Sequence, residues 1–459
     1  MRAHGIGGRA SGSRRARQVA VLAVAAASVV GLSACSSGGG SGGGSGGNAS
    51  GSVKGATVTI YGPDTGTEAT ELEASWSAWA KQQGITIQYT GDKNFTANIA
   101  TKIQANSLPD IGMFPQPGLL SAAVQTGKVK ELDSATAASV KKNFSTDWQG
   151  YVTSGGKLYA TPMDASVKGY IWYSPADFKK WGVSVPTTYD QLLQLTSTIR
   201  QKTGQPPWCA GFNSGDASGW PGADQLAELV LADAGPSVYD AWVKGTTKFT
   251  DPAIASAFDT LGKTLLNPQY VNAGFGDVKS INSTAFGDVA TPLASGKCAL
   301  TNQATFLEAS FATAKTAAGT TPKVAPDGDI WAFPQPGPTA GKNAVVGGGD
   351  FAAAFDSNAA TQKVMQYLSS ADWANSLIAV PNASFISANK GLDATKEQDQ
   401  LLASAIKILQ DPATVFRFGA DDAMPNVVET AFWTGMVDWI NGKSTSDVQA
   451  QIQAAWPAG

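Results

Sequence analysis

The chain has 459 residues and a formal net charge of -3, with charged residues at only 15% of its length. That mild acidity argues against a nucleic-acid partner, which calls for a basic surface. The only histidine is His4, so the remaining chain holds no Ser-His-Asp triad, no Cys-His dyad and no histidine-ligated zinc, while hydrolysis by a carboxylate pair stays open.

The N-terminal stretch carries Arg2, Arg9, Arg14, Arg15 and Arg17, then an apolar run over 19–32 that ends in Leu32-Ser33-Ala34-Cys35. A basic head, a short apolar stretch and small residues before a cut describe a secretory signal peptide over 1–34. The run is too short to span a bilayer comfortably. Cys35 at the cut resembles a bacterial lipobox, which implies cleavage before it and lipidation of its thiol. The alternative is ordinary cleavage that leaves a stray thiol. Residues 35–55 hold this cysteine and a Gly/Ser-rich linker, which cannot bury apolar area and behaves as a flexible coil. The expected protein is a globular body, extracytoplasmic and anchored to the outer face of the cell membrane through lipid only. Export leaves Cys209 and Cys298 as an even pair in an oxidising compartment, read as a disulfide rather than as two free thiols.

The body opens with β-branched alternation over 56–61, a Gly-Pro turn at 62–66 and a helix over 68–83. A strand over 85–89, a helix over 95–105 and a strand from 110 follow. This is a parallel α/β beginning, in which ligands sit beyond the carboxyl ends of the strands. Those ends carry Asp64 and the phrase Phe114-Pro115-Gln116-Pro117-Gly118. Further strands are expected over 158–162, 167–173, 206–212, 296–303, 329–334 and 345–355. Helices are expected over 175–182, 189–202, 221–234, 252–266, 359–370, 373–377, 396–409, 427–441 and 445–456.

Several phrases then appear in a familiar order: Leu108-Pro109-Asp110-Ile111-Gly112-Met113-Phe114, Val167-Lys168-Gly169-Tyr170-Ile171-Trp172-Tyr173, Pro207-Trp208-Cys209-Ala210-Gly211 and Gly219-Trp220-Pro221-Gly222. They continue with Gly296-Lys297-Cys298-Ala299-Leu300, Gly347-Gly348-Gly349-Asp350-Phe351, Phe385-Ile386-Ser387-Ala388-Asn389, Phe416-Arg417-Phe418, Met424-Pro425 and Phe432-Trp433-Thr434-Gly435. Together they resemble the maltose-binding-protein-like extracellular solute-binding lipoproteins of carbohydrate ABC importers, and look closest to α-glucoside binders. The resemblance covers essentially all of 56–456. It implies an α/β, two-lobed periplasmic-binding-protein fold with a hinge and an interlobe cleft. Lobe 1 is expected over 56–165 and 346–400, lobe 2 over 166–345 and 401–459, with hinge crossings near 163–167, 345–350 and 385–401. It also implies the Cys209–Cys298 bridge. One departure stands out: relatives often carry His-Arg-Gln where this chain has Thr301-Asn302-Gln303, so a basic residue is missing.

A sugar presents apolar C–H faces that pack on aromatic rings and hydroxyls that want planar donors and acceptors. Trp433 matches the family's stacking tryptophan, against a reading as core under its helix. Phe306 matches another aromatic position and reads equally as ordinary core. Trp220 lies in a polar loop, a poor place to bury an indole for stability alone. Asp64 and Glu68 lie on the first strand-to-helix turn, where Asp64 could instead cap the helix. Gln116 is aimed by flanking prolines. Asp164 and Asp350 stand at hinge crossings. Asp216, Gln303 and Arg417 complete the ligand-binding candidates, with Asp421 or Asp422 as alternative partners for Arg417. Lys168 reads as structural.

No catalytic residue, cofactor or metal is called for. The expected protein is a monomer that captures an oligosaccharide and hands it to the transmembrane subunits of an ABC permease by hinge closure. A carboxylate-dependent glycoside hydrolase, a surface adhesin, and a binder of a polyol or glycerophosphodiester are the rival readings.

Overall fold

A computed structural model describes residues 53–272, 275–339, 344–381 and 383–457. The signal peptide, Cys35 and most of the Gly/Ser linker lie outside the described residues.

The first sheet runs in the order Thr86–Gly91, Thr57–Gly62, Ile111–Phe114, Phe351–Ala354, Ala160–Pro162. Its first three strands are parallel, as the alternation of strand and helix over the first sixty residues of the body requires. Phe351–Ala354 inserts antiparallel between Ile111–Phe114 and Ala160–Pro162. A second, antiparallel sheet is ordered Trp331–Pro334, Tyr170–Tyr173, Leu300–Gln303. A third joins Val415–Phe418, Ala344–Gly348 and Ser166–Val167.

Two expected strands are each divided between sheets. The run over 167–173 breaks at Lys168-Gly169, so Ser166–Val167 and Tyr170–Tyr173 serve different sheets. The run over 345–355 breaks at Gly349-Asp350. Gly349 has φ 149, and a Cβ there would lie 2.3 Å from the Asp164 carbonyl oxygen. Only glycine allows the two crossing segments to pass this closely. They are bonded: the Met163 amide donates to the Asp350 carbonyl at 2.8 Å, and the Ala165 amide donates to Ile386 at 2.7 Å. The three segments that link the sheets therefore lie side by side.

Other differences are local. The stretch 206–212 makes only single bridges at Trp208, because it runs between the end of one strand and a loop rather than along a strand. Helices at Pro117–Gln125, Ser134–Asn143 and Pro236–Val243 were not anticipated. Ser134–Asn143 is small and polar with just two buried residues, so it carries little apolar periodicity. Val415–Phe418 is an unanticipated strand.

Cys209 and Cys298 form a disulfide, with Cα atoms 5.9 Å apart across 89 residues of sequence. The Cys209 amide also donates to the Leu300 carbonyl at 2.9 Å, so the bridge ties the strand Leu300–Gln303 to the segment bearing Trp208. No helix among the described residues is long and apolar enough to cross a membrane.

Candidate functional site

A cavity of 270 Å³ opens between the first sheet's strand ends and the helices that follow the other two sheets. The turn after Thr57–Gly62 supplies Asp64. The helix Thr67–Gln83 supplies Glu68. Its N-cap is Gly66 and receives no side-chain cap, so Asp64 is not the helix cap. Asp64 is instead held by Tyr89, whose hydroxyl accepts from the Asp64 amide at 3.0 Å. Gln116 is the extended N-cap residue of Pro117–Gln125, and its Oε1 accepts from Thr96 Oγ1 at 3.4 Å. Asp164 and Asp350 come from two of the crossing segments, and the Asp350 amide donates to Asp164 Oδ1 at 3.1 Å.

Aromatic rings line the same cavity. The rings of Trp220 and Phe306 are 5.9 Å apart, and those of Trp220 and Phe286 are 5.3 Å apart, both edge to face. Trp433 borders the same cavity. It is only 2% exposed, and its indole Nε1 donates to Asp421 Oδ2 at 2.6 Å. Gly219 makes the junction possible, since a Cβ there would lie 2.2 Å from the Trp433 carbonyl oxygen. Trp433 is thus both core and cavity wall, rather than one or the other.

Eight of the expected residues line this cavity: Asp64, Glu68, Gln116, Asp164, Trp220, Phe306, Asp350 and Trp433. Three do not. Gln303 is 5% exposed on a strand, and its Oε1 accepts from the Ala304 amide at 2.9 Å, so the adjoining turn occupies it. Arg417 alternates with the buried Phe416 and Phe418, and strand periodicity turns it to the other face. There its Nη2 meets Asp240 Oδ2 at 2.8 Å, so its partner is neither Asp421 nor Asp422. Asp216 is exposed, and its Oδ2 accepts from the Ala97 amide of Phe95–Gln104 at 3.1 Å, a bond that crosses from one side of the cleft to the other. Asn302, in the departing phrase, donates to Glu228 Oε2 at 3.0 Å and Gln335 Oε1 at 2.7 Å, outside the cavity.

Sequence reasoning passed over Phe286 and undervalued Lys168. Trp220 opens the helix Trp220–Ala234 rather than lying in the expected loop, whereas Phe286 is a loop aromatic, and the argument made for Trp220 would have found it. Lys168 lines the cavity and is clamped by Asp224 Oδ1 at 2.7 Å and Asp422 Oδ2 at 3.0 Å. Its Nζ lies 5.6 Å from the Trp220 ring centroid, a cation–π distance.

The electrostatics follow from burial. Burial, then Glu68 and Asp164, push the Asp64 carboxyl well above the usual range. Glu68 is pushed up to about 7 by burial, Glu71 and Asp164. Burial takes Asp164 to about 6 against the opposing bond from the Asp350 amide. Asp350 rises well above its ordinary value through burial, Asp164 and Asp64. Around Lys168, burial disfavours the ammonium, yet Asp224 and Asp422 outweigh it and hold the group charged. Asp224 itself is raised to about 7 by burial, despite Lys168.

A cavity lined by both aromatic rings and carboxyl groups can hold a molecule with apolar faces and many hydroxyls. The arrangement agrees with what comparison finds. The family model for bacterial extracellular solute-binding proteins matches residues 63–375. The chain belongs to this family. It is 32% identical over 417 residues to the alpha-glucosides-binding periplasmic protein AglE of Rhizobium meliloti (strain 1021), covering 88% of this chain and 87% of that protein. It is 30% identical over 406 residues to the osmoprotective compounds-binding protein GgtB of Synechocystis sp. (strain ATCC 27184 / PCC 6803 / Kazusa), covering 87% and 92%. A solved structure from work on xylan utilisation by Caldanaerobius polysaccharolyticus superposes with TM-score 0.72 at 21% identity, covering 87% of this chain and 99% of that one. The fold of this family member is the two-lobed solute-receptor fold. The family and these relatives are binding proteins, not enzymes, which sets aside the hydrolase reading.

Proposed function

We propose that this chain is the sugar receptor of an ABC importer, that its cargo is an α-glucoside or short oligosaccharide, and that it delivers this cargo by closing its lobes. The observation that carries the reading is the pairing, in one 270 Å³ cavity, of the rings of Trp220, Phe306, Phe286 and Trp433 with Asp64, Glu68, Gln116, Asp164 and Asp350. Aromatic faces take the sugar's C–H surface, and the polar groups take its hydroxyls. The name of AglE supports α-glucosides among the sugars. Closure brings half-sites on the two lobes onto one ligand, which stabilises the closed form through contacts the open form lacks. The closed body then docks on the permease. The Leu32-Ser33-Ala34-Cys35 phrase supports a lipid tether at the outer face of the membrane.

A thermal-shift screen against trehalose, maltose, maltotriose, sucrose, cellobiose and glycerol phosphates, followed by calorimetry, tests this. A glucoside that raises the midpoint and is recovered intact supports the reading. A response to glycerol phosphates alone, or to no sugar, would sink it. Cys35→Ala should release the protein from the membrane fraction, and a variant that stays there would refute the tether.

A further inference from the structure

The floor of the cavity carries more acidic groups than the described residues neutralise. Asp164 and Asp350 are 3% and 4% exposed, and both line the cavity. Asp164 Oδ2 and Asp350 Oδ1 have no hydrogen-bond donor among the described residues other than a proton shared between the two carboxyls. Asp64 and Glu68 lie beside them. Two lysines line the same cavity, and neither serves this floor: Lys168 is held by Asp224 and Asp422, and Lys93 is exposed. Burial favours the protonated carboxyls, and at Asp350 the neighbouring Asp164 and Asp64 add to it, so the floor by itself retains protons that a bound cation would displace.

A neutral sugar hydroxyl donates one hydrogen bond and brings no charge. A protonated amine on a sugar brings up to three donors and a full positive charge to buried acceptors, and charge-assisted bonds are the stronger kind. Resting on the sugar reading above, we infer that this floor selects a sugar carrying a protonated amine over its neutral counterpart, with the ammonium set between Asp164 and Asp350.

An inorganic ion fits less well. The carboxylate trio among the described residues whose oxygens come within 4.8 Å of one another is Asp224, Asp421 and Asp422. Lys168 Nζ already bonds two members of that trio. The floor acids converge less tightly, which suits a cation carried on a larger ligand.

The test is calorimetry on the purified full chain near neutral pH. Trehalose and maltose are compared with their amino-deoxy derivatives, with the nitrogen at each hydroxyl position in turn. At least one derivative should bind about tenfold tighter than its parent. Asp350→Asn, which keeps the shape and removes the charge, should abolish that preference, and Asp164→Asn serves if the first variant does not fold. If the parents bind and every derivative binds equally or more weakly, the inference falls and the sugar reading stands. If neither parents nor derivatives bind, both fall. If calcium chloride alone raises the melting midpoint and erases the preference, the floor is an ion site and the inference is overturned.

Discussion

Lys168 offers the sharpest test of the electrostatics under the cavity. Its ammonium lies 2.7 Å from Asp224 and 3.0 Å from Asp422, and all three side chains are buried or nearly so. At an effective dielectric of about 20, each contact is worth roughly 6 kcal/mol before desolvation is subtracted. Lys168→Met removes both contacts and keeps the length of the stem. The orphaned carboxylates would then take up protons rather than stay charged and unpaired. Protonating one carboxyl of ordinary pKa near pH 7 costs about 4 kcal/mol, which caps the loss per group. Breaking a buried pair is destabilising by about 3–5 kcal/mol, and that is the expected loss in unfolding free energy by urea titration. The sign of its pH dependence follows. In the variant the folded Asp224 carboxyl, already raised, moves further above its unfolded value, so the folded state binds more protons. Its stability must therefore fall, relative to wild type, as pH rises from the unfolded carboxylate range towards the folded values. Adding Asp224→Asn should recover part of the loss. A loss below about 1 kcal/mol, with no slope between acidic and alkaline buffers, would show that the trio is protonated in the wild type and that Lys168 is not its counter-charge.

The floor acids predict a second pH effect. Glu68 at about 7 and Asp164 at about 6 are raised, so their contribution is full below the unfolded carboxylate range and is lost as pH rises through those values. The sugar-free melting midpoint should be higher near about pH 5 than near about pH 8, and Asp350→Asn should flatten the profile; an unchanged profile refutes the coupling. Trp433→Ala should lose binding and also about 3–5 kcal/mol of stability, because the ring is 2% exposed; a variant as stable as wild type would show that the ring bears no core load. Trp220, only partly buried, is the cleaner probe: Trp220→Ala should weaken sugar binding at least about tenfold with a smaller stability loss. Cys209→Ser with Cys298→Ser should lower stability by about 2–4 kcal/mol in oxidising buffer, and wild type in reductant should match it. Asp216→Ala removes the bond from the Ala97 amide across the cleft, so small-angle scattering without sugar should show a larger radius of gyration; an unchanged radius would show that this bond does not hold the lobes.

Much of the fold was written in local pattern. Alternation over 56–61 and the helical run behind it needed no tertiary information, because strand and helix periods are properties of neighbouring residues. The aromatic and acidic types needed to hold a sugar were likewise visible as types and, through the order of their phrases, as positions. Most of the eight expected residues that share one cavity sit at strand ends, at helix starts or on crossing segments, and Trp433 alone lies in the middle of a helix.

What only the tertiary structure decided is direction and partnership. Gln303 was legible as a polar residue in an expected strand and Arg417 only as a polar residue between two phenylalanines, and their faces depend on register, because a strand sends alternate side chains to opposite sides. Asp216 lies far in sequence from Ala97, and only the approach of the lobes pairs them. Lys168 reads as structural, but only the fold supplies the partners that hold its ammonium, Asp224 and Asp422, one 56 and the other 254 residues away. The division of 167–173 and 345–355 between sheets has the same origin. Each is one apolar run to its neighbours in sequence, and it divides between two sheets only where another segment packs against the glycine in its middle.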